Sequence, residues 1–158
     1  MPLPMSMKTS IAAFSGMIAK QELECFVKTE DGFAISLSNE IIFLDGGCQV
    51  ISKHLYNGLI VAMDDTETGT IVVNAKGDVD VINLNRIENI FSGEECNGAS
   101  FSEDKIFISQ ENNEILTIFK TGEYALSAPA DESNIIHVSD DGNSLAVASK
   151  GGALTIFG

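Results

Sequence analysis

Clustered carboxylates are the side chains of this sequence whose types and spacing could most readily support binding. They fall at four places, each between two short apolar stretches, and comprise Glu30, Asp31, Asp64, Asp65, Glu67, Glu103, Asp104, Asp140 and Asp141. Asp is favoured in tight turns, so the simpler interpretation is that these residues form turns. Gathered on one face, the same carboxylates would steer and dock a basic peptide or protein, which is the functional hypothesis.

Catalytic and metal-binding patterns do not stand out. The three cysteines, Cys25, Cys48 and Cys96, are an odd number without C-x-x-C spacing, which argues against a zinc site or a disulfide framework. The stretch 64–69 (DDTETG) lacks the ligand spacing and the distal Glu of an EF-hand. No G-x-S-x-G segment is present. The sequence therefore predicts a protein that is not an enzyme and that uses no cofactor or metal.

The charge of the chain is strongly negative, with 23 Asp plus Glu against 9 Lys plus Arg and a formal net charge of −14. Nucleic acids and anionic membrane surfaces would be repelled, since affinity for both depends on Lys and Arg. The cysteine usage fits a reducing compartment. We therefore expect an intracellular protein, cytoplasmic or nuclear, that binds other proteins, basic ones included, and neither nucleic acid nor membranes.

An internal repeat carries the fold prediction. Short apolar or alternating runs, separated by Gly, Asn and Asp turns, form four copies of a unit with three strands. Equivalent places in the third strands are held by Phe43, Ile82, Ile118 and Ile156, at spacings of 39, 36 and 38 residues. This period lies just below the ~40–45 residues of a four-stranded propeller blade. A βαβ fold would need helices between the strands, and an immunoglobulin-like sandwich has no such fixed period.

The repeat divides residues 21–158 into four blades. Their approximate boundaries are 21–55, 58–91, 97–127 and 134–158, and a fourth strand follows each of the first three copies. The last copy stops after its third strand, and residues 8–14 (KTSIAAF) are a candidate spare strand upstream of the first copy. A helix over 8–24 is the alternative, because Ile11, Phe14 and Ile18 would share one helical face.

Alternation within the second strands predicts how the blades pack. In 33–38 (FAISLS) and 144–149 (SLAVAS), large apolar residues alternate with small ones, so neighbouring sheets could interlock face to face. Matching places in the two clearest copies are held by Ile108, Ile118, Val147 and Ile156. We expect these four side chains to be buried between blades.

Two stretches resemble the first-turn and second-strand signature of the WD-repeat β-propeller family, namely 101–109 (FSEDKIFIS) and 138–149 (VSDDGNSLAVAS). Third strands follow at 113–119 (NEILTIF) and 152–157 (GALTIF). The resemblance covers roughly residues 20–158, although the chain has no Trp-Asp dipeptide and no Gly-His pair opens a repeat. It implies that the N-terminal segment, 1–20, supplies the outer strand of the last blade and closes the ring.

The prediction is thus an all-β protein, a β-propeller of four four-stranded blades. A propeller would place the acidic turns on one face, and the predicted function is a scaffold or adaptor for protein–protein interactions. The blades form either a closed small ring or half of a larger ring, and an open arc would expose the apolar faces of its terminal blades. The alternatives are a structural half-propeller completed by a second copy or another chain, and an enzyme or ligand binder that uses the central opening.

Overall fold

The computed structural model describes residues 25–37 and 39–129, together with the backbone of three further strands at 133–138, 145–149 and 154–157. These residues form four antiparallel sheets. The described part of the chain contains strands and turns, and it includes no helix that could cross a membrane. The predicted all-β fold is therefore confirmed.

The strands fall into the four sheets in chain order. The first sheet contains β1 (Cys25–Lys28), β2 (Gly32–Leu37), β3 (Glu40–Asp45) and β4 (Val50–Leu55). The second contains β5 (Ile60–Thr66), β6 (Gly69–Asn74), β7 (Asp78–Ile82) and β8 (Ile87–Ser92). The third contains β9 (Cys96–Phe101), β10 (Lys105–Gln110), β11 (Glu114–Phe119) and β12 (Tyr124–Pro129). The fourth contains β13 (Ser133–Val138), β14 (Leu145–Ser149) and β15 (Leu154–Phe157).

The four sheets stand side by side about an axis near their first strands. Each sheet is a meander in which neighbouring strands follow one another along the chain. The first strands contact one another in turn, β1 with β5, β5 with β9 and β9 with β13. Strands β4, β8 and β12 therefore lie at the outer edge. The ring-closing strand predicted at 1–20 lies outside the described residues.

Two apolar clusters fill the spaces between adjacent sheets, as the alternation predicts. The cluster between the second and third sheets consists of Ile71, Val73, Val79, Val81, Cys96, Ile106, Ile108, Leu116 and Ile118. The cluster between the first and second sheets consists of Ala34, Ile41, Phe43, Tyr56, Ile60, Val72 and Ile82. Ile108 and Ile118 are 1% and 0% exposed, so their predicted burial is confirmed. The side chains of Val147 and Ile156 lie outside the described part of the chain.

The first copy of the repeat is shifted by one residue from its predicted alignment. Ile82 pairs with the second residue of β6, Ile118 with the second residue of β10, and Leu44 with the second residue of β2. Leu44 is therefore the counterpart of Ile82 and Ile118, and the equivalence predicted for Phe43 is wrong. Because side chains alternate along a strand, a shift of one residue moves each side chain to the opposite face of the sheet. Phe43 packs toward the second sheet, whereas Leu44 lies on the far face.

The far face of the first sheet carries a third buried cluster. It consists of Phe33, Ile35, Leu37, Ile42, Leu44 and Cys48, each at most 6% exposed. An open arc was expected to expose the apolar faces of its terminal blades. On the first sheet this face is buried, which is not what an open arc would show there.

Candidate functional site

Three of the four acidic turns meet at one end of the arc. Glu30 from the β1–β2 turn, Glu67 from the β5–β6 turn and Glu103 from the β9–β10 turn line one open cavity of about 620 Å³. Each turn joins the first and second strands of its sheet, and the first strands lie next to one another, so the hairpin ends are neighbours. Asp140 and Asp141 lie outside the described residues.

Hydroxyl groups close the first and third of these turns. Thr29 N donates to Gly32 O at 2.9 Å, and Gly32 N donates to Thr29 Oγ1 at 3.1 Å. In the same way, Ser102 N donates to Lys105 O at 3.0 Å, and Lys105 N donates to Ser102 Oγ at 3.1 Å. The acidic residues between these closing pairs are exposed, and they are Glu30, Asp31, Glu103 and Asp104. Thr29 and Ser102 thus supply the turn-closing oxygen atoms, and among the four carboxylates Asp104 Oδ1 accepts a long hydrogen bond, 3.5 Å, from Ser102 Oγ.

The second hairpin is tighter than predicted. Strand β5 extends to Thr66, and only two residues separate it from Gly69, the first residue of β6. Gly69 has a φ of +149°, and Thr66 Oγ1 donates to its carbonyl oxygen at 2.7 Å. Two-residue loops are common in hairpins, and this one extends the strand through Asp64 and Asp65. Their predicted place in the turn is therefore wrong.

Asp64 faces the third sheet and is neutralised there. Its Oδ2 accepts a hydrogen bond from Lys120 Nζ at 2.8 Å. The ammonium group of Lys120 also lies 5.9 Å from the centroid of the Phe101 ring, and the Lys120 side chain is only 15% exposed. Sequence reasoning missed Lys120, because 56 residues separate it from Asp64 and no local pattern connects the two.

Asp65 points to the opposite face of β5 and approaches the first sheet, since consecutive strand residues face opposite ways. Burial raises the pKa of Asp65, and the carboxylates of Asp64 and Glu30 raise it further. Hydrogen bonds from the backbone of Glu30 and of Thr66 act against this rise in pKa. Asp65 is therefore a half-buried carboxylate beside other carboxylates.

A smaller groove of about 170 Å³ lies between the first and second sheets and joins the cavity. The two depressions share Glu30, Asp65 and Glu67 in their walls. The groove is also lined by Ile51 from β4 and by Leu84 from the turn after β7, which are 42% and 47% exposed. Carboxylates and accessible aliphatic side chains are thus combined in one concave surface.

Cys48 and Cys96 are buried thiols in the described part of the chain. Burial raises the pKa of Cys96 to about 11, and burial likewise raises the pKa of Cys48. The thiolate is the nucleophilic form, so both thiols are held in the less reactive state. His54 is half-buried and packs edge-on against Phe43, with ring centroids 5.6 Å apart. Within the described ranges, no group of three His, Cys, Asp or Glu side chains is placed to hold a metal ion.

The fold, and not the sequence, connects the chain to known proteins. No family model and no curated protein sequence matches it. The chain is similar to the computationally designed Ika4 protein, with a TM-score of 0.72 and 12% identity over 87% of this chain and 91% of that chain. It is also similar to the β-propeller domain of Cps50 (Swd1) from Myceliophteria thermophila, with a TM-score of 0.70 and 16% identity over 94% of this chain and 54% of that chain.

A third similar structure is the WD40 domain of Pan2 from Neurospora crassa, with a TM-score of 0.64 and 12% identity over 85% of this chain and 49% of that chain. The chain thus spans about half the length of the natural propellers Cps50 and Pan2. At these identities, the similarity extends to the fold alone. Together with four meander sheets about a common axis, it shows that the chain has a β-propeller fold.

Proposed function

We propose that this protein is a non-catalytic scaffold for protein–protein interactions, built on a WD-like propeller and acting inside the cell. The observation that carries this proposal is the single open cavity around which Glu30, Glu67 and Glu103 converge. The lining has four carboxylates and one ammonium group, and a concave surface with an excess of one charge sign concentrates and orients partners of the opposite sign. The proposed partner is therefore a basic protein that docks at the hairpin ends.

The charge balance at this end supports a protein partner. Of the acidic residues predicted to rim this face, Asp64 alone forms an ion pair within the described residues, with Lys120. The net charge of −14 disfavours nucleic acid and anionic membranes, whose recognition requires positive charge. The raised pKa values of Cys48 and Cys96 support a role without nucleophilic catalysis.

A peptide titration tests the proposal. We expect a fluorescein-labelled twelve-residue peptide of alternating Lys and Ser to bind the chain, with an anisotropy signal that weakens as salt rises. Replacing Glu30, Glu67 and Glu103 together with Gln should weaken binding by roughly three- to a hundredfold, since each exposed charge pair contributes ~0.2–1 kcal/mol.

The matched control removes the same charge at the opposite end of the sheets. Three exposed residues lie there: Glu94 precedes β9, Glu111 lies between β10 and β11, and Glu114 is the first residue of β11. Their joint replacement with Gln should leave peptide affinity within about twofold, because exposed charges beyond ~8–10 Å are screened. Equal losses in both triple variants would overturn the docking proposal, since net charge alone would then explain binding.

A structural half-propeller is the second candidate function. It is favoured by the chain spanning about half the length of Cps50 and Pan2. In that case a second copy or another chain completes the ring, and light scattering of the purified chain should give twice its mass of 16.9 kDa. A monomeric mass would exclude completion by a second copy. The buried far face of the first sheet favours the scaffold proposal, because that face offers little apolar surface to a second copy.

A further inference from the structure

The groove between the first and second sheets differs in chemistry from the cavity it joins. The cavity is lined by acidic and hydroxyl side chains with Lys120, whereas the groove adds aliphatic side chains to its walls. A purely electrostatic docking site would need no such apolar surface. The groove therefore points to a ligand that carries both a cation and an apolar group.

Ile51 and Leu84 form the accessible apolar part of the groove. Ile51 belongs to the first sheet and Leu84 to the second, so an apolar group placed between them would contact both sheets. Ile51 and Leu84 are 42% and 47% exposed. The other aliphatic residues of the groove, Leu44 and Ile82, are at most 2% exposed. Covering concave, exposed apolar area with a ligand is favourable in proportion to the area removed from water.

The acidic wall of the groove lies next to this apolar pair. Glu30, Asp31 and Glu67 are exposed, and Asp65 is half-buried behind them. Asp64 is the carboxylate that pairs with Lys120, and its side of β5 faces away from the groove. A ligand cation would therefore meet carboxylates that no cation of the groove lining neutralises, since no Lys or Arg belongs to that lining.

We propose that the groove binds an extended peptide segment of a partner protein in which a Lys or Arg lies within one or two residues of a large apolar residue. The apolar side chain lies between Ile51 and Leu84, and the cation contacts Glu30, Asp65 or Glu67. The shared walls of the two depressions let further basic residues of the segment continue into the cavity. This inference rests on the proposed function and specifies the sequence that the scaffold selects.

Side-chain spacing favours an extended peptide over a helix. In an extended chain, neighbouring residues are ~3.3 Å apart along the strand, so a cation and an apolar side chain one or two residues apart can reach the carboxylates and the Ile51–Leu84 pair together. A helix is ~10–12 Å across with its side chains, which is wide for a depression of about 170 Å³. The acidic wall excludes acidic and phosphorylated peptides by repulsion.

Two peptides of equal charge test the inference by fluorescence anisotropy. Both have twelve residues and four lysines, and they carry either leucine or serine at two positions beside the central lysines. We expect the leucine peptide to bind about tenfold more tightly to the wild-type chain. Replacing Ile51 and Leu84 with Ser should reduce that advantage to less than twofold.

A control pair separates the groove from general surface hydrophobicity. Leu55 and Leu126 are 77% and 53% exposed and do not line the groove. Their replacement with Ser should leave the tenfold advantage unchanged, and thermal melts of both double variants should establish that each is folded. Loss of the advantage in the control pair as well would overturn the assignment to this groove.

The same titrations distinguish failure of this inference from failure of the proposed function. Equal affinity of the two peptides for the wild-type chain, with both weakened by the Glu30, Glu67 and Glu103 replacements, would overturn the groove inference and leave the acidic docking face standing. Absence of binding by either peptide would overturn both. Tight binding of the leucine peptide that persists in the Ser variants of Ile51 and Leu84 would place the apolar contact elsewhere and contradict the inference.

Discussion

The interface between the first and second sheets and the interface between the second and third sheets differ in chemistry. Between the second and third sheets, every buried residue of the cluster is aliphatic except Cys96. Between the first and second sheets, Tyr56 joins the apolar cluster and brings a polar network with it. Strand β7 separates the two, with Val79 and Val81 on the side of the third sheet and Ile82 on the side of the first.

The polar network is centred on Asp80. Its Oδ2 accepts a hydrogen bond from Tyr56 Oη at 2.6 Å, and its Oδ1 accepts one from Asn89 Nδ2 at 2.9 Å. Asn74 Nδ2 donates to Tyr56 Oη at 3.0 Å. Asp80 is 8% exposed, so these hydrogen bonds replace most of its hydration. The backbone N–H of Tyr56 donates to Asn39 O at 2.9 Å, which ties the network to the first sheet.

The two interfaces stabilise the packing of the sheets in different ways. An aliphatic surface packs against any similar surface, and propeller blades are by construction similar. A buried carboxylate needs a specific donor, and the Tyr56 hydroxyl is offered by one neighbour. The apolar interface contributes stability in proportion to its buried area, while the polar interface adds hydrogen bonds that hold Tyr56 against the second sheet. Substitutions at the two interfaces test this difference.

Ile118→Asp should prevent folding. Ile118 is 0% exposed in the aliphatic interface, and an unpaired buried charge costs several kcal/mol against a total stability of about 5–15 kcal/mol. The variant should be insoluble or should lack the β signal in circular dichroism. Leu126→Asp, in the adjacent strand at 53% exposure, is the control and should fold. A soluble Ile118→Asp chain with unchanged melting would contradict the assigned register.

Tyr56→Phe should lower the free energy of unfolding by about 1.5–3 kcal/mol. The substitution keeps the ring in the apolar cluster and removes a hydrogen bond to a charged group, which leaves Asp80 with fewer donors. Urea denaturation at pH 7 measures the change. Tyr124→Phe, at 60% exposure, should stay within about 0.5 kcal/mol of wild type. A negligible effect of Tyr56→Phe would mean that the polar interface contributes packing alone.

The advantage of Tyr56 over Phe should shrink at alkaline pH. Burial raises the pKa of Tyr56 above its ordinary value of 10.0, and the hydrogen bond to the Asp80 carboxylate raises it further. Above pH 10 the folded chain therefore holds this proton while the unfolded chain releases it, so the free energy of unfolding falls as pH rises. The difference in free energy of unfolding between wild type and Tyr56→Phe, measured by urea titration, should be smaller at pH 11 than at pH 8. An equal difference in free energy of unfolding at both pH values would contradict a raised pKa for Tyr56.

The apolar interface was predictable from the sequence, and the polar one was not. Ile108 and Ile118 could be assigned to the core because period-two alternation and a fixed repeat define their face locally. Asp80 lies between two valines, a pattern that indicates a solvent-facing residue. Its partner Tyr56 is 24 residues away in a linker outside the repeat unit, so only the assembled sheets bring them together.

In the candidate site, too, some residues could be placed from the sequence and others could not. Glu30 and Glu103 could be placed at neighbouring turns because the repeat positions every hairpin of one kind at one end. The tight loop that draws Asp65 into β5 depends on Gly69 adopting a positive φ, which acidic composition does not reveal. Ile51 and Leu84 carry no local signal, because they become neighbours of one groove only when the first two sheets pack.

Asp64 and Asp65 are neighbours in β5 with different surroundings, since Asp64 is paired with Lys120 and Asp65 lies beside other carboxylates. Substitution by Asn should therefore change the free energy of unfolding in opposite directions at the two positions. Asp64→Asn removes the ion pair with Lys120 and should lower the free energy of unfolding by up to about 1 kcal/mol. Asp65→Asn should raise the free energy of unfolding at pH 7, because it removes repulsion between Asp65 and the neighbouring carboxylates. The gain should be less than about 0.5 kcal/mol, since solvent screens these charges.

The pH dependence of the Asp65→Asn effect provides the sharper measurement. The pKa of Asp65 in the folded chain is raised above its ordinary value of 3.8. At pH values between 3.8 and the raised pKa, the folded chain therefore binds more protons than the unfolded chain. The ionised carboxylate therefore destabilises the fold above its folded pKa, and the penalty disappears as pH falls through that value. Urea titrations should give Asp65→Asn an advantage over wild type at pH 7 that is absent near pH 3. An advantage equal at both pH values would mean that shape, and not charge, distinguishes Asn from Asp at this position.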